Sequence, residues 1–331
     1  MKMFLTLLIT GAIIFCSSEC GYASVEKFIT MGIDVSSTDQ ASKNAALMKA
    51  IESGNLVAVK ALVAYGADVN ATVRRSGSVE ICPVLLALRN SEILEFLIVA
   101  GADINVKFGE KKTLLHIAAQ NEDTFESLAV LLKNGANVNA TDLYGKTPLH
   151  LSIMLYSQEN TFTLLEYGAN IHALDHERWK PLHRAYKRYN LDLLKKMIEL
   201  GASLNEFTPD GTNALHEICN VSWHAFYGDD SKKINLIKFL VENQKMDVNQ
   251  HSNWIDGTTG GFTPFMLAVG AHSGEDFQIL EYFLDKGADM NTKIFRILHD
   301  GRINVIYHSV LDWVVKNKRP YHVIEWLQQQ Q

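Results

Sequence analysis

The sequence predicts an all-α repeat solenoid, in which helix pairs stack and are joined by β-turn and hairpin fingers. Two recurring phrases and their common spacing predict it. The first phrase reads Gly66-Ala67-Asp68-Val69-Asn70, Gly101-Ala102-Asp103-Ile104-Asn105, Gly135-Ala136-Asn137-Val138-Asn139, Gly201-Ala202-Ser203-Leu204-Asn205 and Gly287-Ala288-Asp289-Met290-Asn291. Shorter copies stand at Gly32-Ile33-Asp34-Val35 and Gly168-Ala169-Asn170-Ile171. From Gly32 to Gly201 the glycines are 34, 35, 34, 33 and 33 residues apart. The second phrase lies midway between glycines: Thr147-Pro148-Leu149-His150 in its fullest form, with variants at Thr113, Lys180, Asn213 and Thr263. A fixed period near 33 means units that each hold a hydrophobic face too large to bury alone, so that stacking buries it.

Each element follows from local chemistry. Proline in the first turn of a helix costs no hydrogen bond, so Thr147-Pro148 and Thr263-Pro264 read as helix starts. Apolar residues at helical spacing follow, as at Leu191, Leu194, Met197 and Ile198. The repeating glycine supplies the left-handed residue that ends the second helix. Asp142-Leu143-Tyr144-Gly145 and its counterparts have turn chemistry. Met246-Asp247-Val248-Asn249 fills the one gap in the series as a degenerate copy.

The two phrases recur in register over nearly all of the chain after residue 24, and this pattern resembles the ankyrin repeat family. The resemblance implies a helix pair and a finger per repeat. It also implies that a partner protein is held in a concave groove lined by turn tips and by the residues closing each first helix. His116, His150, His183 and His216 occupy one motif position. The resemblance gives them a framework role, tying the helix start to the neighbouring turn, and four identical placements argue against four copies of a catalytic site.

The organisation reads as four parts. Residues 1–23 form a secretory signal: Lys2, then a 13-residue apolar run from Met3 to Phe15, then Gly21-Tyr22-Ala23 before the cut. The run is shorter than the about 20 residues that span a bilayer. Membrane contact therefore follows only if this segment is retained. Residues 24–38 read as an N-terminal half-repeat cap. Residues 39–206 hold the regular repeats, and 207–331 hold irregular repeats and a C-terminal cap. In this last part the period is broken by insertions at 222–232 and 252–260. Lys293 to Leu298 and Arg302 to Tyr307 flank Asp300-Gly301, a hairpin signature. Cys82 and Cys219 lie four repeat steps apart, roughly 40 Å, which is too far for a disulfide within one chain.

Composition narrows the function. Of 331 residues, 47% are hydrophobic and 21% charged, a globular balance; 31 basic against 37 acidic residues leave a net charge of −6, which points away from nucleic acid. The sequence carries no HExxH, no Gly-x-Ser-x-Gly and no phosphate-cradling loop, and Gly257 to Gly261 lacks the Lys-Ser/Thr that such a loop needs. His172, Asp175 and His176 are too few for a metal site and read as a solvated turn. No cofactor, metal or small-molecule substrate is expected.

Carrying the family's contact positions onto this chain gives Leu143, Tyr144, Lys146, Met154 and Leu155 in one repeat. The next gives Trp179, Lys187 and Arg188, and the 222–232 insertion gives Trp223, Phe226 and Tyr227. Aromatic and arginine side chains are the types that dominate binding hot spots. Trp179 is expected to stand partly exposed as an anchor. The sequence thus reads as a non-enzymatic protein-binding scaffold, an adaptor or inhibitor exported to the periplasm or outside the cell, with an immunity-type protein as one version. The alternative is a secreted effector that binds host proteins; an enzyme with its site in the C-terminal third is the weakest reading.

Overall fold

The structure is a computed structural model describing residues 39–75, 79–186, 188, 190–220, 230–253, 259–271, 277–297 and 303–331. The signal at 1–23, the half-repeat cap at 24–38, most of the 222–232 insertion and the tip at Asp300-Gly301 lie outside the described residues. The chain divides into two units, up to Asn170 and from Ile171 onward.

Unit 1 contains four helix pairs among its described residues: α1 (Gln40–Glu52) with α2 (Leu56–Ala64), α3 (Pro83–Leu86) with α4 (Ser91–Val99), α5 (Leu114–Ala119) with α6 (Phe125–Lys133), and α7 (Pro148–Met154) with α8 (Gln158–Glu166). First helices pack on first helices (α1 on α3, α5 on α7) and second helices on second helices (α2 on α4, α4 on α6, α6 on α8). The helices start where a side chain can take an orphan N–H. Asp39 accepts from the Ser42 N–H at 3.0 Å, Asn55 from Ala58 at 3.0 Å and Asn90 from Ile93 at 3.0 Å. Leu114, Leu115, Ala118, Leu128, Leu131, Leu149 and Leu164 are fully buried between the pairs. One finger carries a short hairpin that the sequence had not suggested, β1 (Val73–Arg75) with β2 (Val79–Ile81).

Unit 2 repeats the plan with α9 (Pro181–Tyr186) and α10 (Leu191–Glu199), α11 (Ala214–Cys219) and α12 (Asp230–Lys238), α13 (Pro264–Ala271) and α14 (Gln278–Asp285), and α15 (Val310–Lys316) and α16 (Tyr321–Gln329). Its core is more aromatic: Phe265 meets Phe283 at 6.2 Å, and Phe277 stacks on Trp326 at 4.9 Å with rings 2° from parallel. The hairpin read at 293–307 is present, β4 (Ile294–Ile297) antiparallel to β5 (Ile303–Tyr307). The end of the second insertion adds to it: β3 (Thr259–Gly260) pairs with β4, so this stretch packs on the finger.

The recurring glycine phrase has a geometric account. Gly66, Gly101, Gly135, Gly168, Gly201 and Gly287 have φ between 80 and 96°. Each closes its helix in the Schellman pattern, as where Gly66 donates to Val63 O at 3.0 Å and Ala67 to Leu62 O at 2.9 Å. The acidic or amide residue of the phrase then accepts from the N–H two positions on, as Asp68 does from Asn70 at 2.8 Å. The final Asn reaches into the next repeat. Asn70 donates to Gly101 O at 3.1 Å and accepts from the Asp103 N–H at 2.8 Å. Asn139 does the same for Gly168 and Asn170, and Asn249 for Gly287 and Asp289. One amide thus satisfies an orphan donor and an orphan acceptor at the following helix end. In the degenerate copy Lys245 holds the glycine's place at φ 56°, after α12 has widened into a π-turn over Phe239–Asn243. The Met246 N–H still closes onto Leu240 O at 3.1 Å, so the conformation outlasts the residue that favours it.

The motif histidines do framework work. His116 Nδ1 accepts the Thr113 N–H at 3.2 Å, which leaves the proton on Nε2, and Nε2 donates to Lys146 O in the next finger at 3.0 Å. His216 likewise reaches Phe262 O at 3.0 Å, and His150 Nδ1 accepts from Thr147 N at 3.1 Å. His183 departs from this. Its Nδ1 takes the Lys180 N–H at 3.2 Å, but its buried Nε2 meets no hydrogen-bond partner among the described residues. Among the described residues, Cys82 and Cys219 are buried free thiols, and burial pushes the Cys219 thiol up to about 12.

Candidate protein-binding surface

In unit 1 the Asp142 carboxylate builds the finger of the fourth helix pair. Its Oδ1 accepts from the Tyr144 and Lys146 N–H groups, both at 2.8 Å, and its own N–H donates to Lys146 O at 2.9 Å. With Gly145 at φ 75°, this turn puts Leu143 and Tyr144 outside it. They are 45% and 47% exposed.

The preceding finger supports this one. The Leu143 N–H donates to Glu110 O at 2.7 Å, and the Tyr144 hydroxyl donates to the Glu110 carboxylate at 3.1 Å. Lys112 pairs with the same carboxylate at 2.8 Å, and these contacts hold it below the usual carboxylate range. Glu110 and Lys111 both adopt left-handed backbone, φ 59 and 57°, a conformation that non-glycine residues rarely take twice in succession. The Lys146 ammonium sits 5.5 Å from the centre of the Tyr144 ring. An aromatic side chain is therefore held out from the finger by charged neighbours.

At the far end of α7, Leu155 is 52% exposed and Met154 half-buried. Tyr156, which the sequence reading passed over, follows at φ 63° and is also exposed. Its sequence signal was slight: one large aromatic wedged before the Ser157 start of α8, where the chain turns through a left-handed residue.

Trp179 requires a correction. It is 7% exposed, not a partly exposed anchor. It occupies the position of Lys146 in its repeat, two residues before the helix. The Arg184 guanidinium covers its face at 4.4 Å, and His183 meets it edge-on at 6.0 Å. Asp175 is likewise not a solvated turn residue: it is buried, accepts from the Glu177 and Trp179 N–H groups at 3.0 and 2.8 Å, and faces Arg184 at 3.4 Å. Arg188 is half-buried just beyond α9. Lys187, Trp223, Phe226 and Tyr227 lie outside the described residues.

Comparison with known families finds Ankyrin repeats, in three copies, over residues 13–105, 84–175 and 182–294. The chain is a member of the ankyrin repeat family. Its fold class is accordingly the all-α repeat solenoid predicted from the sequence, and ankyrin repeats mediate binding between proteins. A putative ankyrin repeat protein of Rickettsia bellii is 38% identical over 109 residues, 33% of this chain and 40% of that protein. The E3 ubiquitin-protein ligase HACE1 of Danio rerio, and that of Homo sapiens, are 44% identical over 68 residues, 20% of this chain and 7% of theirs. The chain thus matches less than half the length of each of these relatives. Among the described residues, no three His, Cys, Asp or Glu side chains are grouped to hold a metal ion, and no helix is long and apolar enough to cross a membrane.

Proposed function

We propose that this ankyrin repeat protein is a non-enzymatic scaffold that holds another protein on the finger and first-helix side of unit 1, through Leu143, Tyr144 and Leu155 with Met154, Lys146 and Tyr156 beside them. The observation that carries this reading is the exposure of three large apolar side chains on turns fixed by hydrogen bonds, since rigid, desolvatable apolar groups make binding anchors. The test compares the full chain with a Leu143→Ala/Tyr144→Ala/Leu155→Ala variant as quantitative baits. A protein retained by the full chain is expected to bind the variant about 30-fold more weakly, a loss of about 2 kcal/mol, with an unchanged melting temperature. Equal retention by both baits would remove these residues from the interface.

We further propose that the scaffold acts after export, as an adaptor or an inhibitor of the immunity type, in the periplasm or outside the cell. The support is the basic start, apolar run and small residues of positions 1–23, together with the likeness to a bacterial ankyrin repeat protein. N-terminal sequencing of protein recovered outside the cytoplasm should begin at Ser24. An intact Met1 on that material would replace cleavage with a retained anchor.

A further inference from the structure

Unit 1 carries a second recess, separate from the fingers. Two adjoining hollows, about 690 and 250 Å³, share Glu122, Phe125 and Glu159, and run between the starts of α4, α6 and α8. The half-buried rings of Phe125 and Phe162 line the larger one, and its rim carries Glu122, Glu159 and Glu166. Among the described residues none of these three carboxylates has an ion pair or a hydrogen bond. Glu110, Glu206 and Glu242, by contrast, each have a lysine partner. Among the described residues Arg89 is the one cation lining the smaller hollow, where Glu126 accepts from the Ser91 hydroxyl at 2.7 Å.

The helix dipole accounts for part of this. Carboxylates in a first turn are stabilised, which covers Glu122 beside α6 and Glu159 on α8. It does not cover Glu166, the last residue of α8, where the dipole disfavours a negative charge. Nor does it explain two phenylalanine rings left partly open between these acids. Partly open aromatic rings flanked by carboxylates without an ion pair suit a guanidinium, which stacks on a ring and offers its N–H fork to carboxylates.

We propose that this groove docks an arginine-rich cationic segment of a second protein, independently of the finger surface. The occupant follows from charge complementarity. The chain is net negative, which steers cations toward it, and the groove concentrates unpaired negative charge over an apolar floor.

The test is fluorescence anisotropy with the full chain and three labelled peptides of equal length, alternating Arg-Gly, Lys-Gly and Glu-Gly. The Arg-Gly peptide is expected to bind severalfold more tightly than Lys-Gly, and Glu-Gly not to bind. A Glu159→Lys/Glu166→Lys variant should weaken Arg-Gly binding at least about tenfold, with salt dependence reduced in parallel. The same charge change elsewhere, Glu281→Lys/Glu325→Lys in unit 2, should leave it within about twofold. The Leu143→Ala/Tyr144→Ala/Leu155→Ala variant should bind the peptide like the parent, which separates this proposal from the finger interface. Phe162→Leu keeps the apolar volume without the ring and should abolish the preference for Arg over Lys. Equal weakening by the two charge variants would mean non-specific attraction and overturn the site. Undiminished binding by Glu159→Lys/Glu166→Lys would do the same.

Discussion

Placing leucine at Gly270 is expected to destabilise unit 2 by about 3 kcal/mol, at the upper end of what overpacking a core costs. Gly270 lies within α13, where alanine would ordinarily gain about 1 kcal/mol over glycine from helix propensity. The packing reverses that sign. A β-carbon there would overlap Cη2 of Trp313 and stand 3.1 Å from its Cζ3, well inside contact distance. The indole has little room to retreat: it is 7% exposed, Phe262 meets it edge-on at 6.2 Å, and the Arg319 guanidinium lies 5.4 Å from its ring. Gly270→Ala should therefore destabilise as well, though less than leucine. A cycle with Trp313→Leu isolates the cause, because the shorter side chain should recover most of the alanine penalty. Additive losses in the double variant, measured by urea unfolding, would show that the clash is not what makes glycine necessary.

Much of the fold was legible because one amide and one glycine do the same job in every repeat. The Gly-Ala-Asp-x-Asn phrase encodes a helix stop, a turn and a stitch to the next repeat, and the distances from Asn70, Asn139 and Asn249 follow that order. Lys245 shows the limit of reading by residue type. The position keeps its left-handed backbone without glycine, because the widened last turn of α12 and the Met246–Leu240 hydrogen bond still fix the chain there. The pairing of Thr259 and Gly260 with β4 was not legible at all. A two-residue strand has no periodicity, and its partner lies more than thirty residues away.

The candidate surface was legible in part. Leu143 and Tyr144 are exposed, as motif position implied, since the Asp142 turn turns its tip outward whatever the tip residues are, and Leu155 is exposed where it closes α7. Trp179 misled because composition favours an exposed indole at an interface, whereas its exposure depends on Arg184, one helical turn further on, lying across the ring. The groove of Phe125 and Phe162 went unread for a related reason. On a second helix, an aromatic at an intermediate position counts toward the buried stripe, and only the spacing of neighbouring helices leaves it part open.

Acidification is expected to destabilise unit 2 well before its carboxylates titrate. Burial lowers both His183 and His216 from an unfolded value near 6.5 to about 4. The folded state therefore keeps both rings neutral in a range where the unfolded chain binds a proton to each, so stability must fall as pH falls. The contribution is fully present above about pH 6.5 and is lost progressively as pH drops through about 4. Each shift corresponds to about 3 kcal/mol, so the pair is large against the stability of a typical domain. The chemistry behind each ring differs. His216 donates Nε2–H to Phe262 O, whereas the buried Nε2 of His183, near Trp179, Arg184 and Lys180, has no hydrogen-bond partner among the described residues. A charge on His183 would be desolvated and would meet the Lys180 and Arg184 cations, offset in part by the Glu206 and Asp175 carboxylates. The carboxylates held below their usual range, Glu242 and Asp312 among them, lose their contribution only at lower pH, so the interval from about 6.5 to 4.5 belongs mainly to histidine. Urea midpoints measured across that interval should decline steeply for the parent chain. His183→Gln/His216→Gln should start lower at neutral pH, through lost packing and hydrogen bonds, and decline with a much shallower slope. A parent midpoint that stayed flat from pH 6.5 to 4.5, or a variant slope equal to the parent's, would show that these rings are not kept neutral by the fold.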